Sequence, residues 1–582
     1  MTNISADKSS NHDGVYELLN LLPGECRITI ELQGFKKHDR SPIPVSVGDV
    51  VAVDVQLEVG ATSDSVTITA EAQLIESSSA SVGQVINQKQ LHELPLPGGA
   101  ATYLMQLSPG VISLSAPTHG WLPQARDSIA NLSVGGSRNR NSEFQLDGAP
   151  NMAQSGNIAF SPPPEMIQEF RIQTQAYDAS MGRFTGAQVN MVPKSGNNEW
   201  HGTGWFSHLS RPLMTHPFFV NKQLYDTRSG PPTAGKRSSL WPATRTNRLR
   251  FTIAGPVIRN KTFFSYGNDF MERIFSGQGF NTVPTADQRR GDFSALLRIG
   301  AAYQIYDPAT TTPAANSRFQ RQPIPGNILP ASRLNQTAQT LLNFYPLPNN
   351  VGTMDFRNNH QTPPANTIDY RSHMGRLDHF VNQAWRFYLS LSASDVESGN
   401  PGPFRNEARG TYGGNEYRAA VFDNVITLGP SLVINWRAAV TRNKNWSFPN
   451  STGYDLSKLN WPSSFTSQLD KRLTALPFVE IDGYAPLNDA TPSEGGVVYP
   501  STQGSIMHVR GTHTMRAGGE FRLLRESSYG YGNYTPNVGF AAAFTRGPLD
   551  TSPVAPIGQG LASFLLGVPT GGYIDRNANY AQ

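Results

Sequence analysis

The chain has 582 residues, of which 48 are Lys or Arg and 44 are Asp or Glu, and its net charge is +4. Charged residues are 16% of the chain, well below the roughly 25% of an average soluble domain, and so small a charge over this length argues against a nucleic-acid-binding protein. The single cysteine, Cys26, excludes an intrachain disulfide and any metal site built from several cysteines.

No stretch of the sequence approaches the roughly 18 consecutive apolar residues of a membrane-spanning helix. Residues Met1 to Gly14 are polar and lack the apolar centre of a secretory signal peptide. These observations predict either a cytoplasmic protein or a chain that lacks its true beginning, and the strand pattern decides between the two.

Period-two alternation begins after this polar leader. Apolar residues alternate with polar ones from Cys26 to Leu32 and again from Val51 to Leu57, which predicts half-buried antiparallel strands. Because two strands and a turn are marginal alone, we expect residues 1–60 to be a piece of an immunoglobulin-like β-sandwich.

Residues 75–199 combine short strands with dense turn chemistry. One helix is predicted from Gln88 to Leu94, where Pro95 ends it. The turns at Gly135-Gly136 and Asp147-Gly148 are interpreted as scaffolding rather than as a phosphate or cation loop. This mixture predicts a compact α+β domain.

From residue 200 onward, strands of roughly ten residues come in pairs, with short turns inside each pair and long connections between pairs. The predicted pairs are Arg248 to Val257 with Thr262 to Met271, Tyr370 to His379 with Trp385 to Ala393, Arg418 to Leu428 with Leu432 to Arg442, and Ser505 to Arg510 with Thr514 to Arg525. Trp200 to Leu209 and Val538 to Thr545 bring the total to about ten strands.

Short turns at one end and long loops at the other are typical of an antiparallel transmembrane β-barrel. In a barrel the backbone groups are satisfied between strands and only every second residue faces lipid, so no long apolar run is needed. A β-rich secreted or surface protein with long loops is the soluble alternative.

Several motifs, in order along the chain, resemble one family. They include YELLNLLPGECRITIELQGFKKHDR, LHELPLPGG, LSPGV, SVGGSRNRNSEFQLDGAPN, PPPEMIQEFRIQTQAYDASMGRFTGAQVNMVPKSGNNEWHGTGWF, TVPTADQRRGDFSALL and PIPGNILPASRLNQTAQTLLNFYPLPNN. With these motifs the chain is similar to TonB-dependent outer-membrane transporters, specifically the Oar-like group, which carries a carboxypeptidase regulatory-like domain in front of a plug.

The resemblance implies a domain order. Residues 1–60 would be a partial carboxypeptidase regulatory-like sandwich, 61–74 a linker, 75–199 the plug, and 200–582 the N-terminal part of the barrel with long extracellular loops. A complete member has a larger barrel of 22 strands, and this chain also lacks a signal peptide and a terminal aromatic strand. We therefore expect a fragment cut at both ends or a broken reading frame.

The resemblance also implies function and partners. We expect TonB-dependent transport or reception of a large substrate across the bacterial outer membrane, without enzyme activity and without a cofactor. The implied partners are the outer-membrane lipid bilayer, an inner-membrane TonB-type energising complex and a large ligand of unknown identity, but no nucleic acid. An adhesion or structural surface protein without active transport is the alternative.

One segment is similar to the family's TonB box, the stretch that an energising partner pulls. Its residues are Asp64, Ser65, Val66, Thr67, Ile68, Thr69 and Ala70. An extended segment of this kind adds as a strand to a partner's sheet. The alternation fits the last strand of the sandwich equally well, and both interpretations stay open.

Two further sets of residues are candidates for function. Arginines expected to pair the plug with carboxylates on the inner barrel wall are Arg138, Arg140, Arg171 and Arg183. Loop residues expected to hydrogen-bond or stack on a ligand are Arg289, Arg290, Tyr303, Tyr306, Arg321 and Tyr345. The plainer interpretation of the second set is a solvated loop.

The sequence contains no complete catalytic or metal-binding motif. Gly230 to Lys236 has the spacing of a phosphate-binding loop, but Arg237 stands where a Ser or Thr would bind magnesium. His201, His208 and His216 are spaced by seven and eight residues, unlike metal-binding helices. We therefore predict no catalytic, cofactor-binding or metal-binding residues.

Overall fold

The structure is a computed structural model. It describes residues 7, 9–10, 14, 16, 18, 21, 23–46, 51–60, 65–68, 82–94, 96, 101–113, 132–138, 141–154, 156–175, 179–181, 184–215, 218–226, 231–233, 236–237, 240, 244–276, 279–362, 365–429, 431–470, 472–488, 491–510, 513–575 and 580–581.

The N-terminal sheet has three strands, β1 (Gly24–Ile30), β2 (Lys37–Val45) and β3 (Ser65–Ile68), in the order β1-β2-β3. β1 is antiparallel to β2, and β3 is parallel to it. The strand predicted from Cys26 is confirmed as β1. The strand predicted over Val51–Leu57 is wrong, because β1 and β3 already occupy the two edges of β2, and residues 51–57 stay outside this ladder despite their alternating burial.

The next unit, called the inner domain, covers the described residues between 82 and 199. Its strands are β4 (Val82–Asn87), β5 (Val111–Ser113), β6 (Leu132–Val134), β7 (Glu143–Leu146), β8 (Ala149–Pro150), β9 (Ile167–Gln175) and β10 (Gln188–Pro193). Five of them form a mixed sheet in the order β4-β9-β10-β7-β8, and β5 pairs with β6 separately.

Helix α1 (Gln88–Glu93) confirms the predicted helix, and a capping box between Asn87 and Gln90 fixes its start. Two 3₁₀ helices, Ala101–Leu107 and Pro164–Met166, complete the unit. The core of the inner domain includes Phe144, Phe160 and Phe170, each almost fully buried.

The remaining strands, from residue 201 onward, belong to a large sheet and to its long connections. In chain order they are β11 (His201–Ser210), β12 (Arg245–Ile258), β13 (Thr262–Ser276), β14 (Phe280–Asn281), β15 (Thr312–Ala314), β16 (Arg318–Gln320), β17 (His360–Gln361), β18 (Ala365–Asn382), β19 (Trp385–Asn400), β20 (Thr411–Leu428), β21 (Leu432–Pro449), β22 (Phe478–Ile481), β23 (Ser493–Arg510), β24 (His513–Arg522), β25 (Arg525–Gly530), β26 (Asn537–Phe540), β27 (Gly571–Tyr573) and β28 (Tyr580–Ala581).

The large sheet, called the wall, runs in the order β11-β12-β13-β18-β19-β20-β21-β23-β25-β28. Every neighbouring pair is antiparallel. β23 pairs with β24 through residues 501–510 and with β25 through residues 493–498. All four predicted strand pairs are confirmed, and β11 confirms the predicted strand over Trp200–Leu209. The strands reach 18 residues, longer than predicted, because their polar ends continue beyond the apolar band.

In a soluble sheet the buried face is apolar and the exposed face is polar, and in the wall the two are reversed. On β12, arginines alternate with apolar residues from 248 to 251. Leu249 and Phe251 are 46% and 40% exposed, whereas Arg248 and Arg250 are 4% and 5% exposed. The apolar side chains face outward and the charged ones face the inner domain. Lipid on the outer face and a polar filling on the inner face explain this alternation.

The long connections between wall strands fold together into a layer called the cap, built from described residues in 280–361, 401–410, 450–492 and 535–570. Its helices are α2 (Ala286–Arg289), α3 (Ser294–Leu297), α4 (Gln336–Leu342), α5 (Ser463–Thr466) and α6 (Gln559–Leu565). Its 3₁₀ helices are Ala301–Tyr303, Pro308–Thr310, Ala315–Ser317, Pro325–Asn327, Ala331–Arg333, Leu456–Leu459 and Ala542–Phe544. The connection between β11 and β12 contains the 3₁₀ helix Arg211–Leu213 and helix Phe218–Leu224.

The cap has its own hydrophobic core. Phe293, Leu341, Leu459, Leu487 and Leu561 are each almost fully buried in one cluster. The barrel strand predicted over Val538–Thr545 is wrong, since β26 joins β22 and β27 in a small cap sheet and residues 542–544 form a 3₁₀ helix. Those apolar residues serve the cap core instead of a lipid-facing wall.

Among the residues that the structure describes, no helix is both long enough and apolar enough to cross a membrane.

Candidate functional site

The inner domain is attached to the wall through buried ion pairs. The most deeply buried pair includes Asp147, which lies in a turn of the inner domain. Asp147 and Gly148 connect β7 to β8 with positive φ angles of 53° and 71°. Arg376 donates from Nη1 to Asp147 Oδ1 at 2.7 Å and from Nη2 to Asp378 Oδ1 at 2.8 Å. The side chains of Asp147 and Arg376 are only 2% and 4% exposed. Removing either ion would leave the other buried without a counter-ion, which costs free energy of folding.

The wall encloses this turn on two further sides. The Arg376 guanidinium lies 3.9 Å from the centre of the Tyr388 ring, and the Tyr388 hydroxyl donates to the Asp147 carbonyl at 3.2 Å. A Cβ at Gly148 would overlap the Arg437 guanidinium, which Asp423 holds at 2.8 Å. Gly148 is therefore required by its backbone conformation and by the close approach of an arginine.

Two more ion pairs join the inner domain to other parts of the wall. Arg522 donates to Glu143 at 2.6 Å, and both side chains are less than a tenth exposed. Arg250 lies 3.2 Å from Glu165, with its guanidinium 3.9 Å from the centre of the Trp205 ring. These pairs, like the one at Asp147, take the carboxylate from the inner domain and the arginine from the wall.

Hydrogen bonds from neutral side chains of the inner domain and one aromatic stack also join it to the wall. Gln154 donates to Glu526 at 2.7 Å, and Ser195 donates to Asp378 at 2.8 Å. Phe160 of the inner domain stacks on Tyr417 of β20 with ring centres 5.0 Å apart. The interface therefore combines apolar burial with charge pairing, as a domain held firmly against water requires.

Of the four arginines predicted to dock the inner domain, the structure describes two. Arg171 is buried on β9, opposite Asn190 of β10, and Arg138 is exposed, while Arg140 and Arg183 lie outside the described residues. Their pairing with wall carboxylates stays a prediction. The described interface pairs have the opposite polarity, and the signal for it lay in the wall strands, where Arg248 and Arg250 alternate with Leu249 and Phe251.

The TonB-box candidate is described in part. Ser65–Ile68 form β3, whereas Asp64, Thr69 and Ala70 lie outside the described residues. The pairing of β3 with β2 agrees with a last strand of the N-terminal sheet. Recognition of this segment by an energising partner stays a prediction.

The six loop candidates are spread through the cap rather than gathered in one place. Buried Tyr345 donates to the Ala485 carbonyl at 2.7 Å, and buried Arg321 donates to the Arg546 carbonyl at 3.1 Å. Arg289 donates to backbone carbonyls such as that of Pro284, at 3.2 Å. Tyr303 donates to Asp355 at 3.1 Å. These four side chains hold the cap together.

The other two loop candidates differ from each other. Tyr306 packs its ring against Gly547, where a Cβ would overlap it. Arg290 is exposed and pairs with Asp287 at 2.5 Å. Of the six, Arg290 is the side chain that most openly faces solvent, and a role of any of them in ligand binding stays a prediction.

One cap ion pair has a clear effect on ionisation. Arg333 donates to both oxygens of Asp307 at 2.7 and 2.8 Å. These hydrogen bonds favour the charged carboxylate and hold the pKa of Asp307 below its ordinary value. Asp307 also accepts from the Ala309 amide at 2.9 Å and so caps a 3₁₀ helix.

Across the described part of the chain, no group of three or more His, Cys, Asp or Glu side chains is placed to hold a metal ion.

The family model of the outer membrane β-barrel domain matches residues 192–582. The chain belongs to this outer membrane β-barrel family. The wall is accordingly part of a transmembrane β-barrel, its apolar face meets lipid, and the protein is located in the bacterial outer membrane.

Other known proteins are similar to this outer membrane β-barrel protein. The TonB-dependent transporter Oar of Myxococcus xanthus is 28% identical over 263 residues, which are 44% of this chain and 22% of Oar. The outer membrane transporter YddB of Escherichia coli has 9% identity and a TM-score of 0.48, with 79% of this chain and 50% of YddB covered. The ferric-catecholate import receptor Fiu of E. coli has 11% identity and a TM-score of 0.37, with 87% and 65% covered. The chain thus spans from about a fifth to two thirds of these relatives.

Proposed function

We propose that this outer membrane β-barrel protein takes part in TonB-dependent active transport, or reception, of a large substrate. In this proposal residues 75–199 are the plug, residues 200–582 belong to the barrel, and residues 61–74 are the linker that a TonB-type complex pulls. The observation that carries the proposal is the inner domain, fixed to the polar face of the wall by three carboxylate–arginine pairs.

Such pairs suit a domain that must both seal and move. While the interface is dry, removing one ion leaves its partner buried and uncompensated, which costs about 3–5 kcal/mol. Once the domain shifts and water enters, both ions regain hydration and their attraction falls steeply. The attachment is therefore firm at rest and weakens after the first displacement, as mechanical opening requires. The similarity to Oar supports the same function.

The test is the binding of the purified periplasmic domain of the host's TonB-type protein to the complete, detergent-solubilised gene product. Deletion of Asp64 to Ala70 should abolish this binding, because it removes the extended segment that pairs with the partner's sheet. Deletion of residues 4–10, an equally short polar segment, is the matched control and should leave binding unchanged. Equal binding by both deletion variants would contradict the proposal.

The cap makes the adhesion alternative testable in the same protein. A folded outer layer with its own core also suits a surface protein that binds without transporting. Cells that carry the deletion of Asp64 to Ala70 keep their surface attachment in that alternative. Under the transport proposal they lose energy-dependent uptake while the cap stays folded.

A further inference from the structure

The central part of the TonB-box candidate, Ser65–Ile68, is a strand of the N-terminal sheet. β3 pairs in parallel with the first half of β2, in the register Lys37 with Ser65, His38 with Val66, Asp39 with Thr67 and Arg40 with Ile68. Parallel pairing is slightly less stable per residue than antiparallel pairing, and four residues is a short strand. The backbone of Ser65–Ile68 is therefore ordered by a short, weak ladder.

The chain immediately before this ladder is fastened separately. Val59 forms a bridge with Phe35, and the Lys36 amide donates to the Glu58 carbonyl at 2.9 Å. The Lys36 ammonium also lies 3.1 Å from the Glu58 carboxylate. These contacts fix residues 58–60 beside the turn that precedes β2, and β3 begins five residues after Gly60.

The sequence of β2 limits how far the ladder can extend. Beyond Arg40 the strand continues through Pro42 and Pro44, and neither residue has an amide hydrogen to donate to a neighbour. On its other edge β2 pairs with β1 along almost its whole length, from Gly24 to Ile30. The β1–β2 pair therefore persists without β3, whereas β3 depends on four residues of β2.

We propose that β2 stores the TonB box and that pairing with β2 and pairing with the energising partner are mutually exclusive. This inference rests on the proposed function, because it names how the same segment is regulated. A partner that pairs with the whole segment from Asp64 to Ala70 forms a longer ladder than β2 does, and so displaces it. The partner then pulls on a free linker instead of on the N-terminal sheet.

The test is a reversible lock between the two strands. In a Cys26→Ser background, Lys37→Cys with Ser65→Cys places one cysteine on each member of a register pair, and oxidation joins β3 to β2. The oxidised protein should lose binding to the purified periplasmic TonB-type domain, and dithiothreitol should restore it. Oxidised and reduced protein that bind equally would overturn the inference, since the partner would then add to the outer edge of β3.

The matched control locks the neighbouring contact instead. Lys36→Cys with Glu58→Cys joins residues that already touch but leaves β3 free to depart, so binding should be the same before and after reduction. Loss of binding in this oxidised control as well would overturn the inference, because any restraint on the N-terminal sheet would then suffice. Normal binding after deletion of Asp64 to Ala70 would instead contradict the proposed function itself.

Discussion

At the scale of single residues, three ion pairs between the described residues of the inner domain and the wall share one orientation of charge. Asp147, Glu143 and Glu165 come from the inner domain, and arginines of the wall meet them. Arginine suits such a wall because its guanidinium stays charged, binds several oxygens at once and stacks on aromatic rings, as Arg376 does on Tyr388.

Replacing Arg376 tests this arrangement. In Arg376→Gln both Asp147 and Asp378 lose their cation while buried, so we expect the inner domain to lose about 3–5 kcal/mol of its free energy of unfolding. Guanidinium titration followed by limited proteolysis of the inner domain measures the change. Arg290→Gln, at an exposed ion pair, is the control, and an equal effect of the two substitutions would show that the buried pair does not hold the domain.

The Asp147-Gly148 turn shows what the sequence reveals at this scale. An Asp-Gly dipeptide favours a turn whatever surrounds it, so this turn was predictable from the sequence of those two residues. Its partner was not, since Arg376 lies 229 residues further along the chain. The inward position of the wall arginines was predictable from alternation, but their pairing depended on the placement of another domain.

At the scale of elements, the cap converts four separate connections into one folded layer. Helix α6 comes from the last of them and is buried along its whole length. It packs into the cluster that also contains Phe293 and Leu341 from the first long connection. The cap segments are therefore expected to move as one body, since separating them would expose a common core.

Leu561 in α6 tests the unity of the cap. It is fully buried, so Leu561→Ala should destabilise the cap by about 2–5 kcal/mol. Hydrogen exchange should then quicken in residues 293–297 and 336–342 as well as in α6. Val554→Ala, at a half-exposed side chain, should leave these rates unchanged. Faster exchange confined to α6 would mean that the segments open independently.

The Asp307–Arg333 pair predicts an acid response of the cap. The pKa of Asp307 is lower in the folded protein than in the unfolded chain. Its ion pair therefore stabilises the cap fully when the pH is above the ordinary aspartate pKa of about 4. This stabilisation is lost as the pH falls through the lowered pKa. Asp307→Asn keeps the helix cap but not the charge.

Comparing wild type with Asp307→Asn isolates that response from other carboxylates. The difference in cap stability, measured by protease resistance, should be full at neutral pH and should shrink below about pH 4. A difference that stays constant down to strongly acid pH would contradict the assignment to this carboxylate.

The elements also show where strand prediction fails. The four hairpins were predictable because a short turn and alternating side chains are both local signals. The strand over Val538–Thr545 was misplaced because an apolar stretch fits a lipid-facing strand and a cap core equally well. The packing of α6 against Phe540 decided between them, and that contact is invisible in the sequence.

At the scale of the whole molecule, the wall exposes apolar side chains on its outer face and buries charged ones on its inner face. On β19, Leu389 and Leu391 face outward while Ser390 and Ser392 face the inner domain. The low charged fraction and the absence of long apolar stretches are both consequences of this alternation. The fold class was therefore predictable, whereas the filling of the inner face was not.

A charge on the outer face tests the contact with lipid. Leu391→Lys should lower the free energy of unfolding in bilayers by about 2–4 kcal/mol, measured by urea titration in lipid vesicles. Glu397→Lys lies on the same face of β19, where a charge is already present, and should change stability little. Equal values for the two variants would place Leu391 outside the apolar band.

The discontinuous core of the cap also dictates an order of biogenesis. Phe293 emerges from the secretion machinery long before Leu561, and both belong to one cluster. Contacts between residues so distant in sequence form late and slowly. The cap core is therefore completed after the intervening wall strands have assembled, and until then its apolar segments need protection from aggregation in the periplasm.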